Sequence, residues 1–165
     1  FDALEKTCKL RREDRELLEY ASLLHDAGYW IGAEKHHKHA AYLIREGPLE
    51  GFTREEVSVL AALARYHRGK TPKPGHEEFD ALARPVQRRV VALASLLRIS
   101  DGLDRSHAGL VKHMEVEPGR KSLTLNLVTE GNLDLEIHQA ERRADLFETV
   151  FGRKVRFEIV REGPG

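Results

Sequence analysis

Near Gly109 the spacing of apolar residues switches from helical to alternating, which limits this chain to a helical part followed by a small sheet-bearing part. Phe1-Asp2-Ala3-Leu4 already reads as the inside of a helix, and no initiator methionine precedes it, so a fragment of a longer protein is expected. Leu17, Ala21 and Leu24 form an apolar stripe, with Leu18 beside it and Gly28 just past its end. A second helix covers roughly His37 to Glu46 and stops at Gly47-Pro48, a strong breaker pair. Thr53 followed by Glu56 predicts a capping box, in which the hydroxyl takes a backbone N–H and the carboxylate reaches back to the cap. Val57, Leu60, Ala61 and Ala64 follow at core spacing, and Gly69 to Gly75 reads as a loop. Pro85, suited to a first helical turn, launches the stripe Val86, Val90, Leu93, Ala94 and Leu97.

Beyond Gly109 the period is 2. Lys112 to Val116 alternates, and Pro118-Gly119 suits the centre of a type II turn, because glycine takes the positive φ cheaply. Leu123, Leu125 and Leu127 alternate with polar residues, predicting a strand with one buried face. Gly131-Asn132 reads as a turn, after which Leu133, Leu135 and Ile137 continue the alternation. Ala140, Ala144, Phe147 and Phe151 return to helical spacing up to Gly152, and Val155, Phe157 and Ile159 make a last strand. The expected class is α+β: a mainly helical bundle over 1–109, then a ββ(β)αβ piece over 110–165 packed as part of the same unit. The apolar strand near Val155 fits either a sheet edge that pairs with another chain or an interior position.

Composition narrows the class further. A chain of 165 residues, 41% hydrophobic and with 27 basic residues against 27 acidic, can close a core. Its balanced charge argues against a protein that coats nucleic acid by charge alone. No apolar run approaches the roughly 18–20 residues of a membrane span, and no basic-then-apolar leader opens the chain. The one cysteine, Cys8, cannot form an internal disulfide, so a reducing, cytoplasmic setting is expected.

Chemistry points to the histidines. Of nine, eight fall between His25 and His113. His25-Asp26 ends the first clear helix, and at a frayed end both can turn to one ion, although adjacent helical residues diverge by about 100°. His36, His37 and His39 open the second helix, with His36 one turn before Ala40. His67 lies seven residues after Leu60 and so shares its inward stripe. Asp101 follows Leu97 by four, extending an apolar face with a carboxylate that is costly to bury unless paired or bound to a metal. Taken singly these are a polar cap or a core histidine bonded to a carbonyl. Together they end core stripes on separate helices in metal-type ligands.

Leu23-Leu24-His25-Asp26-Ala27-Gly28, His36 to Ile44, Arg65-Tyr66-His67-Arg68 and Leu97 to His107 resemble the HD superfamily of metal-dependent phosphohydrolases. More closely, with Glu141 to Phe147 and Phe151-Gly152, they resemble the C-terminal region of the exopolyphosphatase/guanosine pentaphosphate phosphohydrolase family, an HD-like helical domain followed by a small α/β tail. The resemblance implies a divalent metal site of one or two ions (Mn, Fe, Zn or Mg) with His25, Asp26, His36, His67 and Asp101 as ligands. Asp26 would be the catalytic residue, able to bridge two metals, and His37 and His39 compete with His36 for one role. It also implies polyphosphate or a phosphorylated guanosine nucleotide as substrate, a homodimer, and an upstream actin-like catalytic region.

The sequence departs from that pattern twice. No histidine precedes His25, where the superfamily has one on an earlier helix, and no Gly-rich phosphate loop is present in this chain. Arg65 to His76 carries Arg65, Arg68, Lys70 and Lys73 with no acid, and Arg105 follows Asp101 closely, which suits phosphate oxygens. Arg65, Arg68, Lys70 and Arg105 are therefore the expected substrate-binding residues. Two functions result: an HD-type metal-dependent phosphohydrolase, or a non-catalytic polyphosphate-binding and dimerisation module.

Overall fold

The computed structural model describes residues 1–160. They form α1 (Asp14–Leu24), a 3₁₀ turn (Ala27–Trp30), α2 (His36–Glu46), α3 (Arg54–Tyr66), α4 (Glu77–Asp80) and α5 (Arg84–Leu103). There follow β1 (His113–Pro118), β2 (Ser122–Val128), α6 (Asp134–Arg143), α7 (Asp145–Phe151) and β3 (Lys154–Val160). The class is α+β, as the change of period predicts. Among the described residues no helix is long and apolar enough to cross a membrane.

The described chain forms two compact units, Arg11–Leu97 and a second made of Phe1–Leu10 with the segment from Arg98 on. In the helical unit the predicted stripes are the core: Leu17, Ala21, Leu60, Ala64, Val90, Leu93 and Ala94 are all buried. The capping box of α3 is present, with Thr53 N–H donating to Glu56 Oε2 at 2.7 Å and Glu56 N–H donating to Thr53 Oγ1 at 3.3 Å. One buried ion pair ties helices together: Arg89 of α5 donates to Asp14 of α1 and also reaches Glu55 of α3 at 3.4 Å. Gly28 differs from the expected helix-ending glycine. It sits inside the 3₁₀ turn, where an added Cβ would stand 2.0 Å from the His36 carbonyl oxygen. It is there for space, because the turn presses against the start of α2.

In the other unit β2 is central, in the order β1-β2-β3. β1 pairs with β2 antiparallel, and β2 pairs with β3 in parallel through α6 and α7. Leu123, Leu125 and Leu127 are buried, as their alternation predicts. The expectation of continued strand over Leu133, Leu135 and Ile137 is overturned. Asn132 Oδ1 accepts from Asp134 N–H at 2.7 Å and α6 begins there. Leu133, Ile137, Ala140 and Ala144 then share a helical face, and Leu135 is left 51% exposed.

Two turn readings change as well. Gly119 takes no positive φ, so the bend centres on Arg120-Lys121, closed by Gly119 N–H donating to Ser122 O at 2.8 Å. Phe1–Leu4 lies in hydrogen-bonded turns and not in a helix, and the left-handed Lys9 (φ 53°) breaks the run. Gly152, left-handed at φ 63°, ends α7 as expected.

Candidate functional site

Chain ends of three helices build one cluster in the helical unit. His25 is the C-cap of α1, Asp26 follows it, His36 is the first residue of α2, and His67 is the C-cap of α3. The close approach at Gly28 brings the α1 end to the α2 start, and left-handed Lys35 (φ 58°) turns the chain into α2 without a side-chain cap. Asp26 Oδ1 stands 3.3 Å from His36 Nε2 and 3.6 Å from His67 Nε2, and the two imidazole nitrogens are 3.4 Å apart. The second carboxylate oxygen, Oδ2, faces His25 Nε2 at 3.5 Å.

The tautomers follow from the backbone. His25 Nδ1 lies 2.8 Å from the Ser22 carbonyl, His36 Nδ1 3.1 Å from that of Ala33, and His67 Nδ1 2.8 Å from that of Ala64. A carbonyl only accepts, so each Nδ1 carries the hydrogen and donates. Burial lowers the pKa of His36, and it pushes His67 down to about 2, so both rings are neutral near pH 7. Their Nε2 atoms therefore present lone pairs, to each other and to a carboxylate oxygen. Such a convergence of acceptors suits a bound cation. Asp26 Oδ1, His36 Nε2 and His67 Nε2 meet the requirement for holding one ion. Nitrogen and oxygen ligands about 2.0–2.1 Å from a tetrahedral ion stand about 3.4 Å apart, and backbone acceptors on the far ring nitrogens are the usual way such histidines are oriented. The donor set and spacing fit a divalent metal.

Other groups surround the cluster. Arg68 Nη1 approaches His36 Nε2 to 3.4 Å and can donate to it. The Tyr29 ring stacks on the His36 ring, with centroids 4.0 Å apart, and His25 meets His67 edge-on at 4.8 Å. His37 is held neutral, its pKa lowered to about 4 by burial first and then by Arg65 and Arg68. Tyr29 was not foreseen from the sequence, because nothing local marks a tyrosine in a helix-ending turn as a ring partner.

The remaining expected residues lie as follows. Arg65 faces Glu78 at 3.6 Å and places its guanidinium 5.4 Å from the Tyr66 ring centroid. It lines a small cavity of about 200 Å³ with Ala41, Ala61 and Leu82. Lys70 is exposed on the loop after α3, and His39 is half-buried on α2. Asp101 and Arg105 belong to the other unit, where Asp101, in the last turn of α5, is paired with Arg143 of α6 and Arg105 is exposed beyond the helix.

The sequence profile described as Ppx/GppA phosphatase, domain III, matches residues 1–145. Two curated relatives, named guanosine-5'-triphosphate,3'-diphosphate pyrophosphatase, come from Aeromonas salmonicida and Aeromonas hydrophila. Each is 33% identical over 129 residues, covering 77% of this chain and 25% of its own length. The chain thus spans about a quarter of the length of these relatives.

Proposed function

The chain belongs to the Ppx/GppA phosphatase family, and from that premise we propose that it is an HD-type, metal-dependent phosphohydrolase domain acting on polyphosphate or phosphorylated guanosine nucleotides. One observation carries the reading: Asp26 Oδ1, His36 Nε2 and His67 Nε2, acceptors all, converge within 3.6 Å. These residues would hold the ion, with His25 behind the second Asp26 oxygen. A divalent cation supplies polarisation of phosphoryl oxygens and a water of lowered pKa when bound. Asp26 would orient that water and serve as the acceptor of its proton, while the three backbone carbonyls keep each Nδ1 protonated and each ring fixed. Arg68, next to His36, neutralises phosphate oxygens, and Lys70 adds charge at the loop.

A second reading, a non-catalytic polyphosphate-binding and dimerisation module, is favoured by the relatives' length. The activity in their names belongs to chains about four times longer than the stretch they share with this one. Metal content by plasma mass spectrometry, after incubation with manganese, iron, zinc or magnesium, separates the two. The first reading expects one or two retained equivalents, lost in Asp26→Ala and His67→Ala. It also expects turnover of polyphosphate or guanosine pentaphosphate to fall by at least about a hundredfold in Asp26→Ala. Failure to retain any metal would sink it, and polymer binding unchanged in Asp26→Ala but weakened in Arg68→Ala would establish the second.

A further inference from the structure

We propose that the cavity between α2, α3 and the end of α4 binds a free α-amino acid with an aliphatic side chain, its carboxylate on Arg65 and its ammonium on Glu78. The proposal stands apart from the metal reading. The cavity lies within the helical unit, and its walls are hydrocarbon: Ala41 of α2, Ala61 and Ala62 of α3, and Leu82 just past α4. The three alanines are buried. Into this apolar setting the chain brings two opposite charges. Arg65 Nε stands 3.6 Å from Glu78 Oε1, too far for a hydrogen bond. The Arg65 side chain is only 12% exposed, and its Nε–H is shut off from water with no acceptor among the described residues. A buried N–H on a charged group is costly while it lacks an acceptor, so it calls for a partner. Arg45, on the cavity rim, is by contrast engaged by Glu46 at 3.0 Å.

The charge pair selects the ligand. A lone anion on Arg65 would meet the Glu78 carboxylate beside it, and a lone cation on Glu78 would meet the guanidinium, so each is opposed by half of the pair. A ligand that carries both charges side by side is opposed by neither. In an α-amino acid the nitrogen lies about 2.5 Å from the carboxyl carbon, a separation that suits two protein groups 3.6 Å apart. Its carboxylate accepts from the planar guanidinium fork, and its ammonium donates to Glu78. An amino acid with its two charges at opposite ends of a longer chain cannot serve both. The body of the ligand then falls on the alanines and Leu82, where burying aliphatic surface is favourable. A cavity of about 150 Å³ takes benzene, so one of about 200 Å³ has room for valine or leucine. It falls short of the roughly 300 Å³ and more that larger ligands occupy.

Isothermal titration calorimetry of the whole chain with L-valine and L-leucine tests this, together with the NMR resonance of the Arg65 Nε–H. The expected result is saturable binding of either amino acid that shifts that resonance. Isovalerate, which lacks the ammonium, and isobutylamine, which lacks the carboxylate, should each bind at least about tenfold more weakly. The amino acids should lose as much on Arg65→Gln and on Glu78→Gln. Ala81→Phe, at an exposed position on the rim, should exclude them while circular dichroism shows the helices intact. Four results would each overturn the proposal: no binding of either amino acid at up to about 10 mM, equal binding of isovalerate or isobutylamine, undiminished binding in Ala81→Phe, or an Arg65 resonance that responds as strongly to inorganic phosphate.

Discussion

Histidine chemistry in this chain is set by single atoms. His36 and His67 could donate or accept at Nε2, and what decides is a carbonyl three residues upstream of each ring. Once Nδ1 is committed to that carbonyl, two lone pairs face each other 3.4 Å apart, with Arg68 reaching one of them, an arrangement that a bound ion would relieve further. Gly28 makes it possible by letting the turn lie against α2. Gly28→Ala would set a Cβ 2.0 Å from His36 O and 2.5 Å from Ala40 N, which backbone must move to relieve. The expected cost is about 3 kcal/mol or more, the upper end for overpacking. The cluster should lose its metal while the helices persist, as read by thermal melting, far-ultraviolet circular dichroism and metal content. Unchanged metal binding would show that the Gly28 contact does not set the site.

Among the elements, α3 is the one whose ends were legible residue by residue. Thr53 and Glu56 fix its start, and its last apolar turn carries His67 inward. Bonds from the Thr53 backbone and side chain lower the pKa of Glu56. A depressed folded-state pKa means the stabilisation is present above the unfolded-state value and is lost as pH falls through the folded one. Glu56→Gln should therefore melt below the parent near pH 7 and match it in acid below the carboxylate range. A melting difference that grows on acidification would contradict that sign. By contrast, the start of α6 reads as strand, since Leu133, Leu135 and Ile137 satisfy a period of 2, while Leu133, Ile137, Ala140 and Ala144 satisfy 3.6. Three residues of alternation carry too little to choose between periods, and the turn in which Asn132 Oδ1 accepts from the Asp134 N–H, just ahead of the helix, tips the balance.

For the molecule as a whole, an ion bound only by the folded state adds its binding free energy to stability, about 2.7 kcal/mol at a hundred times Kd. A chelator should lower the melting temperature of the metal-loaded chain and leave Asp26→Ala unmoved. Equal shifts in both would place the ion elsewhere. Periodicity, caps and breakers determined by themselves that the chain is α+β, where most helices lie, and that His67 continues a buried stripe. These are local signals, carried by residues within a few turns of one another. Tertiary structure alone decided that Asp26, His36 and His67 share one point, that Arg65 turns to Glu78, and that β3 is an edge. Those outcomes depend on contacts between segments distant in sequence, such as Gly28 against α2 and β2 beside β3. No spacing along a single element encodes how closely two elements approach.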